Sequence, residues 1–200
     1  MLNKLTLTNF RNYAKREFEF GPKTLIVGDN GAGKSNIMEA IYLLATGKSF
    51  RADYDGEMIS YSAKCSVLSA KSQDTDLTIT ISDRKKFEVN GIPRRQIDFV
   101  GHMRAVLFAP QDMELITGSP GGRRRYLDFV ITQMDREYRR CLISYEKGLR
   151  QRNKLLSLIR DGLAQRHQLF FWDRLLIKDG EYLTLARERY LGDLGDGGDM

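Results

Sequence analysis

Residues 28–35 read G-D-N-G-A-G-K-S, and this stretch decides the fold. The apolar segment T-L-I-V, residues 24–27, precedes it, and N-I-M-E-A-I-Y-L-L-A follows it. An apolar strand, a loop of the form G-x-x-x-x-G-K-[ST] and a helix, in this order, are typical of a phosphate-binding loop. The pattern therefore predicts a nucleotide site on an α/β scaffold.

The loop supplies the chemistry of a triphosphate site through its backbone and two side chains. Glycines let the chain curl so that successive N–H groups point at one centre, where phosphate oxygens are bound. The following helix adds the positive end of its dipole. We expect Lys34 to reach the β- and γ-phosphates of ATP and the Ser35 hydroxyl to bind Mg²⁺. The predicted ATP-binding residues of the loop are Gly28, Asp29, Asn30, Gly31, Ala32, Gly33, Lys34 and Ser35.

The composition predicts a globular chain in a reducing, cytoplasmic setting. Hydrophobic residues make up 42% of the 200 residues and charged residues 29%, which is ordinary for a globular protein. The first ten residues alternate apolar and polar types and lack the apolar block of a secretory signal. No apolar run approaches the roughly 20 residues of a membrane helix. The two cysteines, Cys65 and Cys141, are far apart and predict no disulfide framework.

The net charge of +6 is concentrated in the second half of the chain. Residues 1–120 hold 16 basic and 14 acidic side chains, whereas residues 121–190 hold 16 and 9. Such a basic half favours a polyanionic partner, most simply nucleic acid. A solvated helix face is the equally open alternative on charge alone. Aromatic residues do not alternate with basic ones along the chain, so base-specific recognition is not expected.

The hydrophobic pattern divides the chain into a sheet-rich first part and a helical second part. Strands are predicted at residues 2–7, 18–20, 24–27, 65–70, 77–82 and 105–109, and Asn90-Gly91 predicts a hairpin turn. A short helix is predicted at residues 96–102, and from residue 123 apolar residues recur at helical spacing. We therefore expect an ATPase-type domain at 1–120, a helical subdomain at 121–190 and a disordered Gly/Asp-rich tail at 191–200.

The residues that would complete a hydrolytic site are missing from the sequence. Hydrolysis needs an acidic residue at the end of a second apolar strand to hold Mg²⁺ and position water. No run of four apolar residues is followed by Asp-Glu, and A-V-L-F-A-P-Q-D is the nearest approach. The segment I-T-G-S-P-G-G-R-R-R, residues 116–125, is only faintly similar to the L-S-G-G-Q stretch of ABC-type ATPases, and we reject that assignment.

Three longer blocks resemble the RecF family, bacterial DNA replication and repair ATPases of the ABC/SMC class. They are L-T-N-F-R-N-Y at residues 7–13, the loop block extended through T-G-K-S-F-R at residue 51, and F-A-P-Q-D-M-E-L-I-T-G-S-P-G-G-R-R-R-Y-L-D at residues 108–128. Y-E-K-G-L-R-Q-R-N-K-L-L follows at residues 145–156. The resemblance covers roughly residues 1–190.

This resemblance implies a fold and a set of nucleotide contacts. The expected fold is α/β, an ABC-ATPase-type lobe with a mixed β-sheet followed by a long-helix, coiled-coil-like subdomain. In related ATPases the N-F-R-N turn lies near the nucleotide, which makes Arg11 and Asn12 candidates for phosphate or base contact. A charged turn without such contacts is equally open. Gln111 follows a predicted strand where the class often places a glutamine facing Mg²⁺, and it is a second metal candidate beside Ser35.

The resemblance also implies a biological role and partners. It implies an ATP-dependent DNA-binding protein of recombinational repair and replication restart, acting on single-stranded or gapped DNA. Arg123, Arg124 and Arg125 are the candidate DNA contacts, with arginines that cap a surface turn as the alternative. RecR and RecO are the expected protein partners, and an ATP-dependent homodimer is expected for the whole family protein, which is also expected to be a weak DNA-stimulated ATPase.

The chain departs from the family in its length, since the family continues for about as long again. The signature segment and the acidic metal-binding strand belong to that second half, so the fold is expected to be incomplete. A non-catalytic nucleic-acid-binding or protein-binding fragment with a relic loop is therefore a second hypothesis. A small-molecule kinase or a transporter ATPase is a third hypothesis. The long basic helices fit a kinase poorly, and the signature and Asp-Glu strand of a transporter ATPase do not follow the helical segment.

Overall fold

The computed structural model of this chain describes residues 1–109, 112 and 114–196. The chain divides into two compact units, Met1–Ala109 and Pro110–Met200. This division lies eleven residues nearer the N-terminus than the predicted boundary between residues 120 and 121. Its physical reason is that α3, Glu114–Thr117, packs against the helix that follows it and so belongs to the helical unit.

The first unit is built on a six-stranded sheet. Its strands are β1 Lys4–Phe10, β2 Tyr13–Glu19, β3 Ser66–Lys71, β4 Asp76–Ile81, β5 Lys86–Val89 and β6 Ile92–Arg94. Their order is β2-β1-β3-β4-β5-β6, and every neighbouring pair is antiparallel. Alternate residues of the three central strands are buried, as a half-covered antiparallel sheet requires.

Helix α1, Lys34–Thr46, covers the buried face of the sheet. Its side chains Ile37, Leu43 and Leu44 pack with strand residues such as Leu5 and Ile79 in one hydrophobic core. The helix ends at Gly47, whose left-handed backbone lets its N–H bond to the Leu43 carbonyl. A short helix α2, Gln96–Phe99, adds Phe99 to the same core.

The second unit is helical. After α3 come α4 Pro120–Met134, α5 Arg136–Arg160 and α6 Leu169–Asp196. Ile131, Tyr138, Cys141 and Leu183 form their shared core. Tyr138 donates its hydroxyl to Asp128, and Arg187 donates to the same carboxylate at 2.7 Å, so one polar cluster joins all three helices. Burial and the neighbouring Asp128 carboxylate raise the pKa of Tyr138.

Two segments predicted as buried strands are not strands in the structure. Residues 24–27 and 105–109 form neither strand nor helix. Leu25 is 87% exposed and Phe108 is 75% exposed, whereas Ile26 packs against the core. An apolar run becomes a central strand only where other strands pair with it, and the described sheet ends at β2 and β6 without including either segment. The prediction of buried strands at these positions was wrong.

Part of the segment predicted as a disordered tail is helical in the structure. Helix α6 continues through Asp196, six residues into the segment predicted to be disordered. Leu191 and Leu194 lie on that extension and are exposed. No helix among the described residues combines the length and apolar character needed to cross a bilayer.

The hairpin prediction at Asn90-Gly91 is confirmed. These two residues join β5 to β6 with φ angles of 52° and 74°, as a two-residue turn of type I′ needs. An added Cβ at Gly91 meets no atom within 4 Å, so the positive φ is the constraint that favours glycine there.

We predict that Gly91→Ala destabilises the first unit by about 1–2 kcal/mol, because alanine strains a left-handed backbone. The matched control is Gly56→Ala, where an added Cβ also meets no atom within 4 Å and no positive φ is present. Urea unfolding followed by circular dichroism measures both. Equal stability of the two variants would contradict the turn assignment.

Candidate functional site

The glycine loop curls around the side chain of Lys34. Gly31 and Gly33 have φ angles of 84° and 103°, and Gly33 is the residue that precedes α1. The Lys34 ammonium donates hydrogen bonds to the carbonyl oxygens of Gly28 at 2.6 Å and Asp29 at 2.8 Å. The cation therefore lies at the centre of the loop. In the first turn of α1, Asn36 and Ile37 donate their N–H groups to the Gly33 carbonyl at 2.8 and 3.2 Å.

The turn between β1 and β2 contacts the glycine loop through hydrogen bonds of Asn12. Asn12 donates to the carbonyl oxygen of Ala32 at 3.3 Å, and Asn36 donates to the Asn12 side-chain oxygen at 2.6 Å. A Cβ added to Gly33 would lie 2.6 Å from the Tyr13 hydroxyl and 2.8 Å from the Asn12 amide. Only glycine allows this close approach.

Arg11, on the same turn, is held by a buried carboxylate. Its φ of 53° is left-handed. Its guanidinium donates to both oxygens of Glu39, at 2.9 and 2.7 Å, and to the Glu57 carbonyl at 2.7 Å. Such two-point pairing fixes the plane of the guanidinium. The structure thus places Arg11 beside α1, with its N–H groups directed at protein acceptors.

Glu39 is shared by a second arginine and a serine. Arg51 donates to it through Nε at 2.9 Å, and Ser49 donates its hydroxyl at 2.6 Å. Arg51 also bonds to the Asn36 side-chain oxygen, which connects this cluster to the loop through Asn12. Burial pushes the pKa of Glu39 upward, but the hydrogen bonds from Arg11, Ser49 and Arg51 outweigh it and hold the pKa below its ordinary value of 4.5.

The arrangement is suited to an anion. Two arginines, Arg11 and Arg51, share the buried carboxylate Glu39, and the Lys34 ammonium lies within the exposed loop. The positive end of α1 points at the same place. Lys34 currently bonds to backbone carbonyls, which a phosphate would replace as stronger acceptors.

The other predicted site residues are placed as follows. Ser35 lies in the first turn of α1 and is exposed, which suits a metal ligand. No cluster of three or more acidic, histidine or cysteine side chains that could hold a metal ion occurs in the described ranges. Gln111 falls outside the described residues. Arg123, Arg124 and Arg125 are exposed in the first turns of α4, and Arg123 donates to the Gly118 carbonyl at 3.2 Å.

Sequence reasoning missed Glu39, Ser49 and Arg51. A signal for Glu39 was available, because it lies between the apolar positions Ile37 and Ile41 of a helix whose inner face is buried. A charged residue on such a face requires a partner, and the arginines of N-F-R-N and S-F-R were the candidates.

Comparison with known proteins assigns a family to this architecture. A family model described as AAA ATPase domain matches residues 1–158. A DNA replication and repair protein RecF of Thermomicrobium roseum is 36% identical over 98% of this chain and 54% of its own length. The RecF protein of a Cyanothece species is 39% identical over 95% of the chain and 53% of its own length. The chain thus spans about half the length of the curated relatives it matches.

Solved structures show the same relationship. A structure described as the recombination mediator protein RecF-ATPrS in the RecFOR pathway superposes with a TM-score of 0.90 at 32% identity, over 97% of this chain and 55% of that one. A Pyrococcus furiosus Smc head domain has a TM-score of 0.51 at 21% identity, over 98% and 58%, and shows the shared fold alone. The ABC-ATPase-type α/β fold with a long-helix part is confirmed.

We predict that Glu39→Gln lowers the free energy of unfolding at neutral pH by about 2–3 kcal/mol, because it leaves two arginines without their buried counter-charge. The pKa of Glu39 is lowered in the folded chain, so its contribution is present above pH 4.5 and disappears as pH falls through the folded-state pKa. Urea unfolding at a series of pH values should show the free energies of unfolding of the parent and of Glu39→Gln approaching each other in acid.

The matched control for this prediction is Glu19→Gln, which removes an exposed carboxylate from the same unit. It should change stability by less than about 0.5 kcal/mol. A Glu39→Gln variant as stable as the control at neutral pH would show that the buried carboxylate does not hold the cluster together.

Proposed function

The chain belongs to the AAA ATPase domain family and resembles the N-terminal half of RecF proteins, and from this premise we propose that it binds ATP at residues 28–35. We further propose that it serves as the nucleotide-binding part of a DNA replication and repair protein. The observation that carries the proposal is the Lys34 ammonium enclosed by the loop at 2.6 and 2.8 Å from two backbone carbonyls.

In this proposal the bound triphosphate takes over the hydrogen bonds of Lys34. Lys34 releases the carbonyls of Gly28 and Asp29 and donates to the β- and γ-phosphates. The loop N–H groups donate to the same oxygens in a nest, and the helix dipole adds favourable potential. Asn12 keeps the loop curled by holding the Ala32 carbonyl. Arg11 lies on the turn next to the loop, but its N–H groups donate to Glu39 and to the Glu57 carbonyl. We therefore propose that Arg11 shapes the site and does not bind phosphate.

The site suits a Mg²⁺ ion bound together with the phosphates. Mg²⁺ usually keeps several waters and binds through one or two protein groups plus phosphate oxygens. The Ser35 hydroxyl at the first turn of α1 is the group this chain would supply. In the sequence no apolar strand ends in Asp-Glu, so our proposal for this chain is nucleotide binding, with hydrolysis assigned to the whole family protein.

We propose DNA as the macromolecular ligand of the helical unit, single-stranded or gapped. The support is the excess of 16 basic over 9 acidic side chains in residues 121–190 and the exposed triplet Arg123, Arg124 and Arg125. Phosphate contacts of this kind release counterions, so binding should weaken steeply with salt. By the same family relationship we propose RecR and RecO as protein partners, an ATP-dependent homodimer for the whole protein, and a cytoplasmic location.

We predict that Lys34→Ala weakens ATP binding at least ~100-fold, because it removes the charge at the centre of the loop. A fluorescent ATP analogue titrated in the presence of Mg²⁺ measures the affinity. The control is Lys23→Ala, which removes an exposed lysine that precedes the loop and should leave the affinity within about twofold. Equal affinity of the two variants would contradict the assignment of the loop.

For the DNA contacts, we predict that replacing Arg123, Arg124 and Arg125 with alanine reduces the salt dependence of DNA binding. Each lost phosphate contact should lower the slope of log K against log salt by about 0.9. The charge-matched control replaces Lys147, Arg150 and Lys154, three exposed cations of α5. Anisotropy titrations at several salt concentrations would contradict the triplet's role if both variants lost the same slope.

A further inference from the structure

A groove between α5 and α6 is a feature of the helical unit that the proposed function does not use. It has a volume of about 740 Å³. One wall comes from α5 and the other from α6, at residues spaced three and four apart on each helix. The side chains that matter for its chemistry are Phe170, Phe171, Arg140, Arg174, Lys178 and Asp179.

Two adjacent aromatic side chains face solvent in this groove. Phe170 is 74% exposed and Phe171 is 64% exposed. Exposing two neighbouring phenylalanine rings is unfavourable in water, and such aromatic surface marks an interaction site. Phe171 also contacts Trp172 edge-on, with ring centroids 4.9 Å apart. The rings offer flat apolar faces to a planar ligand.

Charged groups surround the rings. Arg140, Arg174 and Lys178 are exposed cations on the groove wall. Asp179 lies on the same wall and is only 8% exposed, and its Oδ2 has no hydrogen-bond partner among the described residues. A buried carboxylate oxygen without a donor is costly. A ligand that brought an N–H group would satisfy it, whereas a phosphate would not.

We propose that this groove binds single-stranded nucleic acid by stacking unpaired bases on Phe170 and Phe171. The proposal deepens, and rests on, the DNA-binding part of the proposed function. Aromatic platforms flanked by cations that track the backbone are how sequence-tolerant single-strand sites work. Arg140, Arg174 and Lys178 pair with phosphates. The N–H groups on the Watson–Crick edge of an unpaired base donate a hydrogen bond to Oδ2 of Asp179.

The charge pattern favours nucleic acid over a protein segment. An acidic peptide would use only the cations within the groove, whereas the excess of basic side chains extends over residues 121–190. A repeating anion such as a phosphate backbone matches that extent. Duplex DNA is the poorer ligand for the groove, because its base faces are stacked and its Watson–Crick N–H groups are already paired.

The single tryptophan of the chain makes the groove directly observable. Trp172 is the one tryptophan in the sequence and contacts Phe171. The experiment titrates the chain with oligo-dC and with a duplex of equal length, and follows Trp172 emission together with anisotropy of labelled DNA. We expect saturable quenching by oligo-dC and little quenching by the duplex.

The test variant is Phe170→Ala combined with Phe171→Ala. Because each ring would stack on a base, removing both should weaken oligo-dC binding at least ~5-fold and leave duplex binding unchanged. Arg174→Ala should weaken oligo-dC binding and lower its salt dependence. The matched control is Ile177→Ala, an equally exposed apolar side chain of α6 that does not line the groove, and it should bind like the parent.

The outcomes separate this inference from the proposed function. Equal binding of oligo-dC to the parent and to the phenylalanine variant, without a change in Trp172 emission, would show that the groove is not the single-strand site. The proposal that the chain binds DNA elsewhere would remain. Absence of any DNA binding would overturn both. An acidic peptide that quenches Trp172 and displaces no DNA would show that the groove is a protein site and also reject the inference.

Discussion

The site depends on a positive charge held inside a curled stretch of backbone. Lys34 lies at the centre of the loop because Gly31 and Gly33 take left-handed conformations that other residues rarely adopt. At Gly33 an added Cβ would lie 2.6 Å from the Tyr13 hydroxyl and 2.8 Å from the Asn12 amide, which, together with the positive φ of this residue, favours glycine. The loop shape is therefore set by its own glycines and by the strand turn beneath it, before any ligand arrives.

The buried carboxylate of Glu39 connects the loop to the chain segments around it. Glu39 accepts hydrogen bonds from Arg11, Ser49 and Arg51, and Arg51 bonds to Asn36, which bonds to Asn12. Residues from the first hairpin, the helix and the segment after the helix thus form one network. Burying a carboxylate is costly unless it is fully paired, so each of these contacts supports the others. Positioning of this kind fixes the segments around the loop before a ligand binds, so that only the hydrogen bonds of Lys34 have to change.

Features whose conformation depends on neighbouring residues in the sequence were predicted correctly. Features that depend on contacts with residues distant in the sequence were not. The loop, α1 and the Asn90-Gly91 turn follow from short motifs whose backbone needs are local. Residues 24–27 look like a buried strand, yet a strand forms only with neighbours that supply its hydrogen bonds. Glu39 was missed because a hydrophobic pattern treats a charged residue as exposed. The cluster of Phe170 with Arg140 was missed because these two residues lie 30 positions apart in the sequence and meet only where α5 and α6 lie side by side.

The nucleotide proposal is tested most directly by calorimetry on the chain itself. ATP with magnesium should bind with release of heat and one-site stoichiometry, and AMP should bind far more weakly, because the loop contacts the β- and γ-phosphates. Absence of measurable heat with ATP at millimolar concentration, on a sample whose circular dichroism shows it folded, would contradict the account. Equal affinity for ATP and AMP would contradict it as well, since the charge of Lys34 would then have no role in recognition.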